Sequence, residues 1–304
     1  MLKTIAILIL ALIMVPLVSY KFDQPLTELQ LHLLCNCIYI ALITAFLCFT
    51  VSEITGNCSQ VDKIWSIIPI VYVWYIAYEG GMSPRLILMA ALVTAWGVRL
   101  TYNFSRRGAY TWKFWSGEED YRWGVLRQKP ELKGRMKWFF FNLFFISLYQ
   151  NGLILLFTLP ILMVYVSPNL ALGNFDILFG FLFVAFLVVE TIADQQQWNY
   201  QTEKHKRISN GMTPEGIYLK GFTHTGLWKF MRHPNYMAEQ AIWVCFYLLG
   251  ASASGHWINW SVTGCLLLML LFQGSANFSE DISESKYPQY IEYKRVTGRF
   301  LPKF

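Results

Sequence analysis

Eight apolar runs follow one another along this chain, at about residues 4–20, 29–50, 64–79, 85–104, 138–162, 174–193, 236–251 and 258–277. A bilayer's hydrocarbon core is ~30 Å thick, and about 20 apolar residues in a helix cross it. Charged residues make up only 14% of the chain, whereas soluble domains carry about 25%. The expected fold is therefore all-α, a multi-pass integral membrane bundle of seven or eight transmembrane helices in a lipid bilayer. The count is eight if the first run, with Lys3 before it, is retained, and seven if it is a cleaved signal peptide. The third run is short and carries Pro69, so it is expected to bend or to tuck into the bundle.

Charge sets the expected orientation. The gaps at 105–137 and 194–235 are strongly basic, as is the tail, while 163–173 and 252–257 contain no lysine or arginine. The positive-inside rule places the basic gaps and the tail in the cytosol. The net charge of +6 is explained by these flanks and calls for no nucleic acid. Cys35, Cys37, Cys48, Cys58, Cys245 and Cys265 show no CxxC spacing, so neither a disulfide framework nor a metal site is expected. No glycine-rich phosphate loop appears, which excludes a Rossmann crevice.

Several polar constellations interrupt the apolar runs. Arg232-His233-Pro234-Asn235-Tyr236, with Glu239 one turn on, stands at the mouth of the seventh run. Pro234 suits a first helical turn, and a helix N-terminus beside a cation favours an anionic group. Ionisable residues there are a functional hypothesis by default. Glu190 and Asp194 share a face at the end of the sixth run. Lys204, Lys206 and Arg207 follow, suited to anionic lipid or to a bound phosphate. Arg99, Tyr102, Asn103 and Arg106 share one face at the end of the fourth run. A snorkelling helix end accounts for Arg106, and less well for the deeper Arg99. Spacing alone reads Glu118 to Trp123 as a solvated charge run with aromatic anchors. Asp62 is either a helix cap or a group facing a substrate cavity. Tyr287, Tyr290 and Tyr293 form an interfacial belt, or a cap whose rings stack on a base.

Taken in order, these stretches resemble the steroid 5-alpha reductase-like membrane family, in particular a branch found in bacteria and lower eukaryotes. The resemblance runs from about Val61 to Pro302. It rests on Asp62 to Ser66, Trp96 to Thr101, Glu118 to Trp123, Glu190 to Gln196, Gly226 to Tyr236 with Glu239, and Lys286 to Tyr290. The expected division is an N-terminal transmembrane hairpin over 1–60 and the family domain over 61–304. The resemblance implies a lipid-accessible cavity, a cytosolic C-terminal cap and NADPH as cofactor. Asp194, Asn235, Glu239 and Tyr287 match its cofactor-binding positions. Arg99 and Arg106 match loosely, and Lys204, Arg207, Arg232, His233 and Tyr236 join them as cofactor-binding candidates. Asp62 and Tyr102 stand by position for the catalytic acid pair.

The resulting expectation is an NADPH-dependent reductase of a conjugated carbon–carbon double bond in a lipophilic, steroid- or isoprenoid-like substrate. Its membrane would be the endoplasmic reticulum in a eukaryote or the plasma membrane in a bacterium. Two other readings stay open. Isoprenylcysteine-type membrane methyltransferases, which use S-adenosylmethionine, carry a closely similar Arg-His-Pro-Asn-Tyr motif. There Arg232 and His233 would hold the methionine carboxylate, with Glu280 or Glu284 near the sulfonium. A non-catalytic sterol-binding protein is the other.

Overall fold

The computed structural model describes residues 2–165, 171–213 and 215–303, and its regular structure there is helical. In order the helices are α1 (Leu2–Lys21), α2 (Glu28–Thr55), α3 (Gln60–Ile64), α4 (Ile68–Glu79), α5 (Pro84–Ser105), α6 (Tyr121–Arg127), α7 (Arg135–Phe141), α8 (Gln150–Thr158), α9 (Pro160–Val164), α10 (Asn174–Ser209), α11 (Pro234–Ser254), α12 (Val262–Lys286) and α13 (Tyr290–Val296). A π-helical stretch, Asn142–Tyr149, joins α7 to α8. Each of the eight apolar runs lies mainly in helix, with residues 65–67 and 258–261 outside it. Five helical stretches are long and apolar enough to cross a membrane: Glu28–Thr55, Pro84–Ser105, Arg135–Val164, Asn174–Ser209 and Val262–Lys286. At 12 residues, α4 rises only about 18 Å. Pro69 lies in its first turn and starts the helix without bending it, and Tyr72, Val73, Ile76 and Ala77 are buried.

The chain divides into two compact units. The first comprises Met1–Gly180 and Phe246–Leu267, and the second Phe181–Cys245 and Leu268–Phe304. In the first, α2 shows the chemistry of a helix in lipid. Leu33, Cys37, Ala41, Ala45, Cys48 and Ser52 form its buried stripe, while Tyr39, Ile43, Phe46 and Leu47 point outward. Small residues inside and large apolar ones outside reverse the soluble pattern, because lipid tails accept the large side chains and close packing favours the small ones. The same rule operates at Gly97, where a Cβ would collide with the carbonyl of Ser66. There α5 lies against the start of α4, and Ser66 and Thr101 share a hydrogen bond of 2.7 Å.

Two helices outrun their apolar stretches. The apolar run of α10 ends near residue 193 but the helix continues to Ser209, and α12 continues from about 277 to Lys286. These polar extensions carry most of the chemistry of the second unit.

Candidate functional site

The candidate residues fall into the two units, each built separately. In the second unit the middle of α10 is the base. Glu190 and Asp194 are buried on one face, as their spacing predicted. The Asn235 side-chain amide donates to Asp194 Oδ1 at 3.0 Å, and its own Oδ1 accepts the Tyr236 backbone N–H at 3.0 Å. One turn further along α11, buried Glu239 accepts from the Trp243 indole N–H at 3.1 Å. The Gly226-Leu227-Trp228 stretch wraps the same part of α10. Leu227 N–H donates to Gln196 Oε1 at 2.9 Å, and the Trp228 indole donates to the Ala193 carbonyl at 3.0 Å. Gly226 has φ +62°, and a Cβ there would lie 2.5 Å from Gln196 Oε1, so the turn takes no larger residue without moving.

Further along α10, Lys204 is buried. Its ammonium donates to the Gly221 carbonyl at 3.0 Å and to the Tyr287 hydroxyl at 3.3 Å. Arg207 instead pairs with Glu203 at 2.8 Å and lies 4.6 Å over the Tyr218 ring. Nearby, an open cleft of about 510 Å3 is lined by Trp198, Asn199, Tyr200, Thr202, Glu203 and Tyr218, among others.

Arg232 and His233, expected at an anion site, have their polar atoms engaged elsewhere. Glu280, fully buried on the extension of α12, accepts from Arg232 Nε at 2.9 Å and from Arg299 Nη2 at 2.9 Å, and pairs with His233 Nε2 at 3.1 Å. Arg232 also donates to the Thr297 and Lys294 carbonyls. Its backbone N–H bonds the Gly298 carbonyl at 2.9 Å, and that of His233 bonds Arg299 at 3.1 Å. The pair is a clasp that fastens the tail to α12. The physical reason is charge: a buried carboxylate persists only if paired, and it draws both guanidinium groups to itself. Desolvation holds His233 below its ordinary value, opposed by its bond to Glu280. The His233 ring stacks on Tyr236 at 5.1 Å, and Tyr236 packs on Phe272. Tyr236 thus acts as a spacer in the clasp.

In the first unit the structure unites three of the stretches that carry the family resemblance. The Glu118–Trp123 run, read from spacing as solvated, folds onto α3. The Trp123 indole donates to Asp62 Oδ2 at 2.8 Å. Asp120 takes a two-pronged bond from Arg122 at 2.7 and 3.0 Å, and its backbone N–H donates to Ser59 Oγ at 2.9 Å. Glu119 accepts the Cys58 N–H at 2.6 Å and is forked by Arg127 at 2.5 and 2.8 Å. Spacing misled because Glu119, the Asp120 backbone and Trp123 also bond the distant Cys58–Asp62 segment, contacts invisible to local periodicity. Lys63, fully buried, donates to the Phe114 and Ser116 carbonyls at 2.8 and 2.6 Å.

Desolvation lifts the Asp62 carboxyl above the usual carboxylate range, with Asp120 adding to the effect and Arg122 and the Trp123 N–H opposing it. Asp120 is desolvated too, but its contacts with Arg122 hold it below that range. Two nearby acids whose values move apart are the pattern of an acid and a permanent anion.

Tyr102, expected beside Asp62, is 66% exposed, and Arg106 lies 5.8 Å over its ring. Arg106 itself holds Asn103 Oδ1 at 3.0 and 2.5 Å, and Arg99 is partly buried on the same helix. The phenol that joins the Asp62 segment is Tyr110, whose hydroxyl donates to the Lys63 carbonyl at 2.7 Å. Desolvation raises it, Ser66 and Thr101 lower it, and the Asp62 charge raises it further. Sequence reading missed Tyr110 because it lies in a loop with no helical register to place it.

Among the described residues, no three His, Cys, Asp or Glu side chains gather as a metal ion requires. Residues 48–297 match the family described as Protein of unknown function (DUF1295). An uncharacterized protein of Schizosaccharomyces pombe is 38% identical over 266 residues, covering 83% of this chain and 75% of that protein. No solved structure matches the chain.

Proposed function

The chain belongs to the DUF1295 family, and from that premise we propose that it is an NADPH-dependent membrane reductase of a carbon–carbon double bond in a lipophilic enone. The observation that carries this reading is the pairing of half-buried Asn235 with buried Asp194, at positions matching the cofactor-binding residues of the steroid 5-alpha reductase-like family. The donor chemistry fits. A buried carboxylate beside a half-buried amide suits the carboxamide and ribose hydroxyls of a nicotinamide nucleotide, and Glu239 lies on the same helix as the amide. Lys204 and Arg207 on α10 supply charge for its phosphates. When bound, the cofactor would supply the hydride.

This chain's own residues account for the remaining steps. Asp194, Asn235 and Glu239 orient the nicotinamide end. In the first unit, Asp62, raised by desolvation, is the group suited to hold a transferable proton, and the Trp123 indole fixes the carboxyl group that carries it. Tyr110, and not Tyr102, supplies the phenol bonded to the Asp62 segment. The basic gaps support a cytosolic side for this chemistry, with the endoplasmic reticulum of a eukaryote or the plasma membrane of a bacterium as its membrane.

The methyltransferase reading needs Arg232 and His233 for a methionine carboxylate. The clasp weighs against it, because Glu280 already occupies them. The deciding experiment is thermal stabilisation of the detergent-solubilised protein by NADPH, NADH and S-adenosylmethionine, since a ligand selective for the folded state raises stability by mass action. Stabilisation by NADPH is expected. Selective stabilisation by S-adenosylmethionine would overturn the proposal, and no effect from any of the three would favour a non-catalytic sterol binder.

A further inference from the structure

The loop that follows α5 closes on itself. The Glu118 N–H donates to the Gly108 carbonyl at 2.9 Å. At Gly117 (φ +111°) a Cβ would lie 2.3 Å from the Ala109 carbonyl oxygen, so the two ends of the loop are in contact, as in an Ω-loop. From the α3 side, donors hold every carbonyl from Phe114 to Gly117. Lys63 donates to those of Phe114 and Ser116, the Gln60 amide to that of Trp115 at 2.9 Å, and the Asn57 amide to that of Gly117 at 3.0 Å. Lys63 and Gln60 are buried, and a charge withdrawn from water needs such partners. The anchored backbone leaves aromatic side chains outside. Trp112 is fully exposed, and Phe114 and Trp115 are 45% and 52% exposed. Clustered apolar groups held out in this way mark a contact surface.

The place of the loop and its charge indicate what covers these rings. The loop lies between two successive membrane-length stretches, Pro84–Ser105 and Arg135–Val164, and so on one face of the bilayer, close to the end of α5. Tryptophan rings settle at the headgroup level of such a face. Lys113 stands between Trp112 and Phe114 and is exposed, as are Arg107 before the loop and Lys133, Arg135 and Lys137 around the start of α7. Of the acids between the two spans, Glu119 and Asp120 are held by Arg127 and Arg122, while Glu118 and Glu131 are exposed. The exposed balance is positive, which complements anionic headgroups.

We propose that the loop over 108–118 is a membrane-docking element, which seats Trp112 and Trp115 at headgroup level and recognises anionic phospholipid through Lys113 and Arg107. This contact is independent of the reaction that the chain catalyses.

The test uses the full chain in lipid nanodiscs of equimolar phosphatidylcholine and phosphatidylglycerol, with one lipid or the other brominated as a short-range quencher of indole fluorescence. The signal of the loop is the difference between the wild type and a Trp112→Phe, Trp115→Phe double variant. That signal should be quenched more by brominated phosphatidylglycerol than by brominated phosphatidylcholine, and should be shielded from acrylamide in the water. Lys113→Gln and Arg107→Gln should each lower the preference for the anionic lipid, by up to about fivefold. Melting temperatures report whether each variant folds. Quenching by acrylamide with none by either brominated lipid would leave the loop in water and overturn the inference. Equal quenching by the two lipids, unchanged in Lys113→Gln and Arg107→Gln, would overturn it by removing the headgroup recognition. Shielding from acrylamide without quenching by either lipid, together with cross-links between copies, would assign the surface to a second copy of the chain and also overturn it.

Discussion

Asn235 and Asp194, 41 positions apart in the chain, meet at 3.0 Å, the amide donating to the carboxylate. The bond joins the first turn of α11 to the middle of α10. The Asn235 oxygen accepts the Tyr236 backbone N–H, so both ends of the amide are held in place.

Replacing Asn235 with alanine should therefore weaken NADPH binding by roughly tenfold, the scale of one charge-assisted hydrogen bond. The fold should survive, because Pro234 still starts the helix and Glu239 and Trp243 still pair. Calorimetric titration beside a melting curve separates the two effects. Unchanged NADPH affinity in a folded variant would count against the nicotinamide site.

Glu280→Ala should be far more damaging. It leaves Arg232 and His233 buried without their carboxylate and releases Arg299. Removing one partner of a buried ion pair costs about 3–5 kcal/mol. A large drop in melting temperature is expected, with early proteolysis of the tail after residue 296. A tail as resistant as in the wild type would mean that the backbone bonds to Gly298 and Arg299 suffice by themselves.

The clasp should also weaken in acid. Desolvation keeps His233 below the ordinary value of 6.5, so the unfolded chain takes up this proton at higher pH than the folded one. As the pH falls from about 6.5 towards the folded value, unfolding becomes coupled to protonation and stability declines. His233→Gln should flatten this part of a stability–pH curve, and an identical slope in the variant would assign the decline to another group.

Asp62 carries the opposite sign. Its folded value is raised, so the folded state keeps a proton that the unfolded chain has released, and stability falls as pH rises from 3.8 through the folded value. Asp62→Asn should accordingly be more stable than the wild type at pH 7, with the advantage vanishing near pH 4. The same variant should lose turnover while retaining NADPH affinity, a split seen when a proton donor is removed. Equal losses in binding and turnover would reassign Asp62 to the cofactor.

Much of the helical order was legible in the residues. The helix starts at Pro84 and Pro234, the shared face of Glu190 and Asp194, and the polar mouth of α11 follow from local propensity and from a period of 3.6. The ends of α10 and α12 did not. Polar residues stop a hydropathy signal without stopping a helix, so Lys204, Arg207 and Glu280 appeared to lie in loops when they belong to regular helix. Tyr102 and Tyr110 show the other failure. Helical spacing favoured the first, and a loop contact with the Lys63 carbonyl brought in the second.

The sequence by itself determined that this chain forms membrane-length helices with polar groups concentrated at their ends, because desolvation of the backbone leaves an apolar run no other choice in lipid. Tertiary structure alone decided the partners of those polar groups. Arg232 is equally suited to a phosphate and to a carboxylate, and the burial of Glu280 settled its partner here. Asp62 suits a solvated cap equally well, but burial desolvates it and the Trp123 indole, 61 residues on, takes its carboxylate. Such choices depend on which charges are removed from water together, and chain spacing carries no record of that.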